Sequence, residues 1–111
     1  YLQNNGEKVT LEAIAKPDKE FSCHRCALEV GYEHEQYVTS LINTIYEAAY
    51  AVKDFRTMQF LDWFVKEQGE EEKNADDMLK KYDLYGSDPK GLYSLNSELA
   101  ARVYTAPSLT L

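Results

Sequence analysis

The chain has 111 residues, a net charge of −7 at pH 7, 44% apolar residues and 13% aromatic residues. This composition is typical of a globular protein, and its acidic balance argues against a nucleic-acid partner, which would need a basic face. No apolar run approaches the roughly 18 residues that a membrane-spanning helix needs, so we expect no membrane partner. The sequence shows no secretory signal, and its two cysteines give no disulfide framework. We therefore expect a reducing, cytoplasmic compartment.

The start of the chain, residues 1–21, is predicted to be the end of a helix followed by a long crossover. Gly6 follows two asparagines and is expected in the left-handed conformation of a helix C-cap. Residues 7–20 are polar, and an alternation at residues 8–12 could pair briefly as an edge strand. Because Tyr1 lies in what reads as a helix end, we expect the sequence to be the later part of a longer protein.

The remainder of the chain is predicted to be helical, with one irregular end. The predicted elements are a long helix (22–53), a second long helix (54–85), a short C-terminal helix (89–103) and a tail (104–111). Ser22 and Asp54 are the expected N-caps of the long helices, and Gly86 ends the second. Their tight connection makes the long helices antiparallel neighbours. Two such helices cannot bury wide apolar faces on each other alone, so we predict an all-α fold that is half of a four-helix bundle, whose first two helices are missing from this chain.

Polar side chains interrupt the apolar faces of both long helices. Apolar positions recur at spacings of three and four residues, and Glu35 occupies one of them on the first helix. Gln68 and Glu71 occupy two on the second helix. Glu35 and Glu71 are nearly the same distance from the turn, so they lie at nearly the same height. A carboxylate on an apolar face is costly unless it is neutralised, and a bound cation is the simplest candidate.

An acidic run on the second helix extends this cluster. Glu67, Glu70 and Glu71 are spaced i, i+3 and i+4, so their carboxylates project from one side of the helix. An oxygen-rich set of this kind suits hard cations and iron, and it holds too little nitrogen or sulfur for structural zinc. Other helical glutamates are expected on solvated faces, namely Glu29, Glu33, Glu47 and Glu72.

Two segments resemble the second half of a bacterial non-haem ferritin. They are Gly-Tyr-Glu-His-Glu-Gln at residues 31–36 and Trp-Phe-Val-Lys-Glu-Gln-Gly-Glu-Glu-Glu-Lys at residues 63–73, and the Gly-Leu-Tyr at residues 91–93 is similar too. The resemblance extends from Tyr1 to about Arg102. It implies half of a ferritin-like bundle with one long crossover.

The resemblance also implies roles for individual residues. Glu35, Gln68 and Glu71 would help to form a di-iron ferroxidase centre, where Fe(II) is oxidised by dioxygen or peroxide. Glu67 and Glu70 would join Glu71 at a third iron site. Trp63 would pack near the centre, and the other ligands would lie in the missing part.

The resemblance further implies iron storage in the cytoplasm by a homo-oligomeric shell of twenty-four subunits. Asn74 follows Glu71 by three residues where bacterioferritins and rubrerythrins carry histidine, which favours a ferritin proper. We expect no haem, because Met58 and Met78 fit a helix face and a core position. Asp54 and Asp62 are candidates for an ion channel.

Two alternatives stay open. The chain could be a structural or truncated ferritin subunit that assembles without ferroxidase activity. It could instead be a redox or zinc-binding module that uses the Cys-His-Arg-Cys sequence at residues 23–26, since a helix N-terminus lowers the pKa of a thiol. Because the chain holds no second ligand pair, we favour two reduced thiols at Cys23 and Cys26.

Overall fold

The structure is a computed structural model that describes residues 1–110. Its elements are a single 3-10 turn (Gln3–Asn5) and three α-helices, α1 (His24–Ala51), α2 (Phe55–Tyr85) and α3 (Pro89–Ala100). The described residues contain no strand, so the all-α prediction is confirmed and the edge strand suggested at residues 8–12 is wrong. That segment is exposed, and no neighbouring strand lies beside it to complete a ladder. Leu111, the last residue of the predicted tail, lies outside the described residues.

The first turn of α1 differs from its prediction. The helix begins at His24, and the N-cap is Cys23 instead of Ser22. Cys23 has extended backbone angles, φ −155° and ψ 160°, and its Sγ accepts the backbone N–H of Cys26 at 3.1 Å. A sulfur atom therefore fills the position that an oxygen usually fills at a helix N-terminus.

The caps of the other two helices follow ordinary rules. Asp54 caps α2, as predicted, and its carboxylate accepts the backbone N–H of Thr57 at 3.1 Å. Asp88 caps α3 in the same way, accepting from Gly91 at 2.8 Å. Gly86 ends α2 as predicted, in right-handed geometry, and its N–H donates to the Tyr82 carbonyl. These local signals fix where each helix begins and ends.

Two glycines have backbone roles. Gly6 has φ 78°, the left-handed conformation expected at the end of the first turn. Gly91 lies where the start of α3 meets the last residue of α2, and a Cβ there would stand 2.4 Å from the Tyr85 carbonyl oxygen. Only glycine permits this close approach of the two helices.

The long helices pack side by side in antiparallel directions. Arg25 at the start of α1 binds Asp83 near the end of α2, with Nε to Oδ1 at 2.6 Å. Nearer the turn, the Tyr46 hydroxyl donates to Asp62 at 3.0 Å. α3 packs on α2, where Lys81 pairs with Glu98. The predicted antiparallel pair is therefore present.

Much of the apolar surface of this helix pair is uncovered. Among the described residues, three apolar side chains are buried: Ala49, Leu61 and Leu95. The accessible surface is 9326 Å², whereas a compact monomer of this mass would expose about 6,300 Å². The radius of gyration is 18.0 Å, against about 13 Å for a compact domain of this length. None of the helices among residues 1–110 is both long and apolar enough to cross a membrane.

Candidate metal-binding site

Gln68 is the polar residue that lies deepest between α1 and α2. Its side chain is 8% exposed. The amide nitrogen, Nε2, donates to the Glu35 backbone carbonyl at 3.0 Å and to Glu35 Oε2 at 3.2 Å. It also lies 3.4 Å from Thr39 Oγ1. The structure therefore brings Glu35 and Gln68 into direct contact across the helix pair.

A second hydrogen bond between α1 and α2 lies beside this contact and involves two residues that the sequence did not predict there. The Thr39 hydroxyl donates to Glu72 Oε1 at 2.5 Å, and both residues are half-buried. The prediction that Glu72 lies on a solvated face is therefore wrong. Glu72 follows Gln68 by one helical turn, so the two side chains point toward α1 together. Thr39 follows Glu35 by the same spacing. Because Thr39 and Glu72 each lie one turn after a residue of the predicted site, this spacing is the signal that could have identified them.

Glu71 lies on a neighbouring side of α2 and is exposed. It borders an open depression of about 240 Å³ that Glu35 also lines. Gly31 and Asn74 line the same depression, and so does Arg102 from the segment after α3. The two carboxylates thus face one common space, although only Glu35 reaches into the contact with Gln68.

The outer acids of the run have different surroundings. Glu70 is exposed and pairs with Lys66, one turn away, at 3.7 Å. Glu67 is half-buried. Across residues 1–110, no three histidine, cysteine, aspartate or glutamate side chains come together as a group that could hold a metal ion. The third iron site suggested for Glu67, Glu70 and Glu71 stays a prediction.

Trp63 lies on α2, nearer the turn than this contact. It packs edge-on against Phe64, with ring centroids 5.0 Å apart. Its indole N–H donates to Ser108 Oγ at 3.0 Å. The tail after α3 therefore returns along the helix pair and reaches the residue that the resemblance places near the iron centre.

Polar contacts on either side of the site join α1 to α2. Arg25 donates two hydrogen bonds to Asp83, at 2.6 and 3.1 Å. These bonds raise the pKa of Arg25 and lower the pKa of Asp83. The hydrogen bond to Asp62 raises the pKa of Tyr46, because loss of the phenolic proton would break that bond.

The acids considered for an ion channel both have partners within the chain. The Thr57 side chain and then its backbone N–H lower the pKa of Asp54, because they stabilise its ionised form. Asp62 accepts the hydrogen bond from Tyr46. Both carboxylates thus serve local structure, and a role in a channel stays a prediction.

The two cysteines form a disulfide bond, Cys23–Cys26. The preference for two reduced thiols is therefore wrong. The extended backbone of Cys23 turns its side chain back over the first turn of α1, and the two Cα atoms lie 5.3 Å apart. That separation falls within the range that a disulfide spans.

The donor chemistry at the contact fits a hard metal ion. Glu35 and Glu71 supply carboxylate oxygens, and the Gln68 carbonyl oxygen is the end of that amide that can ligate. Oxygen ligands of this kind suit iron in its ionic forms and other hard cations. These oxygen ligands lie on a pair of antiparallel helices, and a cation site there stays a prediction.

The fold is all-helical, with two long antiparallel helices and a shorter third helix packed on the second. Residues 1–85 match the family model described as a ferritin-like domain. The chain belongs to this ferritin family.

Similar bacterial proteins support the assignment of the chain to the ferritin family. The chain is 36% identical over 99 residues to a probable bacterial non-heme ferritin-like protein of Haemophilus influenzae, covering 89% of this chain and 60% of that protein. It is 38% identical over 93 residues to the bacterial non-heme ferritin of Campylobacter jejuni, covering 84% of this chain and 56% of that one. The expected resemblance to bacterial non-haem ferritins is therefore confirmed.

Solved structures show the same fold. An engineered closed form of the Archaeoglobus fulgidus ferritin superposes with a TM-score of 0.90 at 40% identity, over 94% of this chain and 63% of that chain. The open pore ferritin of the same archaeon gives a TM-score of 0.88 at 40% identity, over 92% of this chain and 63% of that one. The chain thus spans about 60% of the length of the relatives it matches.

Proposed function

We propose that the intact protein stores iron. It oxidises Fe(II), with dioxygen or peroxide as the oxidant, at a carboxylate-bridged di-iron centre and deposits ferric iron inside an oligomeric cage. The observation that carries this proposal is the direct contact of Gln68 with Glu35 across α1 and α2, beside the depression that Glu71 borders. Membership of the ferritin family supports it.

In this proposal Glu35, Gln68 and Glu71 hold the iron that is to be oxidised. Anionic oxygen ligands stabilise the higher charge of Fe(III) more than that of Fe(II), so they favour loss of the electron. Glu67 and Glu70, together with Glu71, form a third iron site on the path toward the cavity. The proposal assigns no role to haem.

The proposal also requires two further helices. The helix pair exposes far more surface than a compact monomer of its mass, and large apolar side chains such as Leu41 and Ile45 are 45% and 52% exposed. Two helices packed on this face would bury those side chains and complete a four-helix bundle. They would also bring the remaining iron ligands to the depression beside Glu35 and Glu71.

We propose a homo-oligomeric shell of twenty-four subunits in the cytoplasm, with no nucleic-acid or membrane partner. In such a shell α3 lies near a four-fold axis. The exposed aromatic side chains at Tyr93 and Tyr104, which are 73% and 83% exposed, suit a contact between subunits. The open and closed forms named for the archaeal relative are consistent with an assembled particle.

Aerobic addition of Fe(II) to the intact protein tests the catalytic claim. The initial rate of iron oxidation is followed by stopped-flow absorbance for wild type, Glu35→Ala and Glu71→Ala. We expect both variants to be slower by about 10- to 100-fold, because each loses a ligand. Glu33→Ala and Glu47→Ala are matched controls on exposed positions of α1, and we expect wild-type rates from them.

Three possible outcomes lead to three different conclusions. A full rate in Glu71→Ala would contradict the assignment of that residue. Equal losses in Glu33→Ala would show a general effect of surface charge. A wild-type particle that assembles at full size but oxidises no iron would support the alternative, in which the chain is a structural or truncated subunit.

A further inference from the structure

The Cys23–Cys26 disulfide closes the first turn of α1 and lies apart from the proposed iron ligands. Glu35 lies 11 positions after His24, the first residue of α1, which corresponds to roughly 16 Å at 1.5 Å per residue. The iron chemistry proposed above therefore makes no use of this bond, and its role needs a separate explanation.

The two sulfur atoms have unequal surroundings. Cys23 is exposed, whereas Cys26 is half-buried. Cys23 Sγ accepts the backbone N–H of Cys26 at 3.1 Å. Cys26 Sγ lies 3.6 Å from the Ser22 hydroxyl, which can donate to it. Cys23 is thus the more exposed of the two residues, and each sulfur has a donor that would stabilise it as a thiolate.

The position in the helix adds to this effect. Free N–H groups and the helix dipole favour negative charge at an N-terminus, and α1 is 28 residues long. The guanidinium of Arg25 is bound to Asp83, so it holds the first turn against α2. His24 and Cys23 are exposed beside each other, which leaves the approach to Cys23 open.

We propose that Cys23 and Cys26 form a redox-active dithiol–disulfide couple that exchanges two electrons with an external dithiol. In the first step a donor thiolate attacks Cys23 Sγ. A sulfur–sulfur bond forms between donor and Cys23, the Cys23–Cys26 bond breaks, and Cys26 leaves as a thiolate. The second donor thiolate then attacks the donor sulfur of this mixed disulfide. The donor becomes a disulfide, Cys23 leaves as a thiolate, and each cysteine takes a proton from solvent.

The proposed chemistry gives the two sulfur atoms different roles. Cys23 is the sulfur that makes the mixed disulfide, because it is the exposed one. Cys26 is the first leaving group, and the Ser22 hydroxyl assists its departure. Ser22 is therefore a positioning residue in this proposal. The inference does not depend on iron oxidation, so its failure and that of the proposed function are separate results.

The sequence supplies a direct readout. Trypsin cleaves after Lys19, Arg25 and Lys53, so Cys23 and Cys26 fall on different peptides, 20–25 and 26–53. With the disulfide intact, the two peptides stay joined. After reduction and alkylation each carries its own mass tag. The intact native protein is treated with dithiothreitol for increasing times, quenched with acid, alkylated and digested.

We expect reduction of the native protein at a rate within about tenfold of the rate in denaturant, because Cys23 is an exposed residue. Both peptides gain their tags together, and oxidised glutathione restores the joined pair. Reduction that requires denaturant would overturn the proposal, because the bond would then be purely structural. Two permanently free thiols after treatment with oxidised glutathione would also overturn it.

Single variants test the assigned order. In Cys26→Ser the thiol of Cys23 should react with iodoacetamide at pH 7 about tenfold faster than the thiol of Cys26 does in Cys23→Ser. Equal rates would contradict the different roles assigned to Cys23 and Cys26. Circular dichroism checks that both variants keep the helical content of wild type. Adding Ser22→Ala to Cys23→Ser should move the pH dependence of Cys26 alkylation to higher pH. A merely structural role for the hydroxyl would not produce this change.

Discussion

Replacing Gln68 by leucine removes the amide that joins α1 to α2 at the candidate metal site. The lost hydrogen bond to the Glu35 carboxylate, 3.2 Å long in the structure, is worth about 1.5–3 kcal/mol because the acceptor is charged. Leucine has a similar size and regains about 0.8 kcal/mol of apolar burial. We therefore expect Gln68→Leu to lower the free energy of unfolding by about 1–2 kcal/mol without bound metal.

The change Gln68→Glu separates a metal site from an ordinary hydrogen-bond contact. It places a second carboxylate where the amide nitrogen now donates to Glu35. Two like charges at 3.2 Å repel by at most about 5 kcal/mol at an effective dielectric constant of 20. Because Glu35 is half-exposed, we expect a loss of about 2–3 kcal/mol. A bound cation would convert this repulsion into ligation, so Fe(II) should stabilise this variant more than wild type.

Urea unfolding of the intact protein, followed by circular dichroism with and without anaerobic Fe(II), measures both effects. Gln59→Leu and Gln59→Glu are the matched controls, since Gln59 is exposed on α2. The hydrogen-bond argument fails if Gln68→Leu is as stable as Gln59→Leu. The metal-site argument fails if Fe(II) stabilises Gln68→Glu no more than wild type.

Two further predictions concern the helix contacts. Gly91→Ala should destabilise the protein in thermal unfolding, because its Cβ would stand 2.4 Å from the Tyr85 carbonyl oxygen. Gly69→Ala, where a Cβ meets nothing within 4 Å, should instead stabilise α2 by about 0.5–1 kcal/mol, and the opposite order would refute the packing argument. Arg25 lowers the pKa of Asp83 from its ordinary value of 3.8. The ion pair therefore stabilises the fold above that ordinary value, and this stabilisation is lost as pH falls through the lower pKa of Asp83 in the folded protein. Asp83→Asn should therefore be less stable than wild type at pH 7, with the two converging in acid; a constant difference at all pH values would contradict this.

The helices could be predicted because their signals are local. Asp54 precedes an apolar periodic segment and caps it in the structure, and Gly86 ends that segment. The predicted start of α1 is one residue too early, because Cys23 acts as the cap. Cysteine is not among the residues that usually fill this position, so the sequence favoured Ser22.

The site could be predicted only in part. Helical spacing places Glu35 and Gln68 on facing sides of the two helices, but equal distances to the turn pair Glu35 with Glu71, whereas the structure brings Glu35 against Gln68. Charge alone predicts that Glu72 is solvated, whereas Thr39 supplies the donor that allows its partial burial. The disulfide depends on the backbone angles of one residue at the helix start, which the spacing of the cysteines does not determine.

The shape of the helix pair bears on the proposed iron site. Each long helix contacts its neighbour along one side and leaves another apolar side open. Under the proposed function, the remaining iron ligands come from elements packed against that open side. Within residues 1–110, no metal-binding group of three acids, histidines or cysteines is present.

Anomalous diffraction at the iron edge, from crystals of the intact protein soaked in Fe(II), tests the central claim most directly. We predict anomalous density at the depression between α1 and α2, within bonding distance of both Glu35 and Glu71 and beside the Gln68 amide. Density that appears only at surface acids such as Glu29 and Glu33, with none at that depression, would contradict the account.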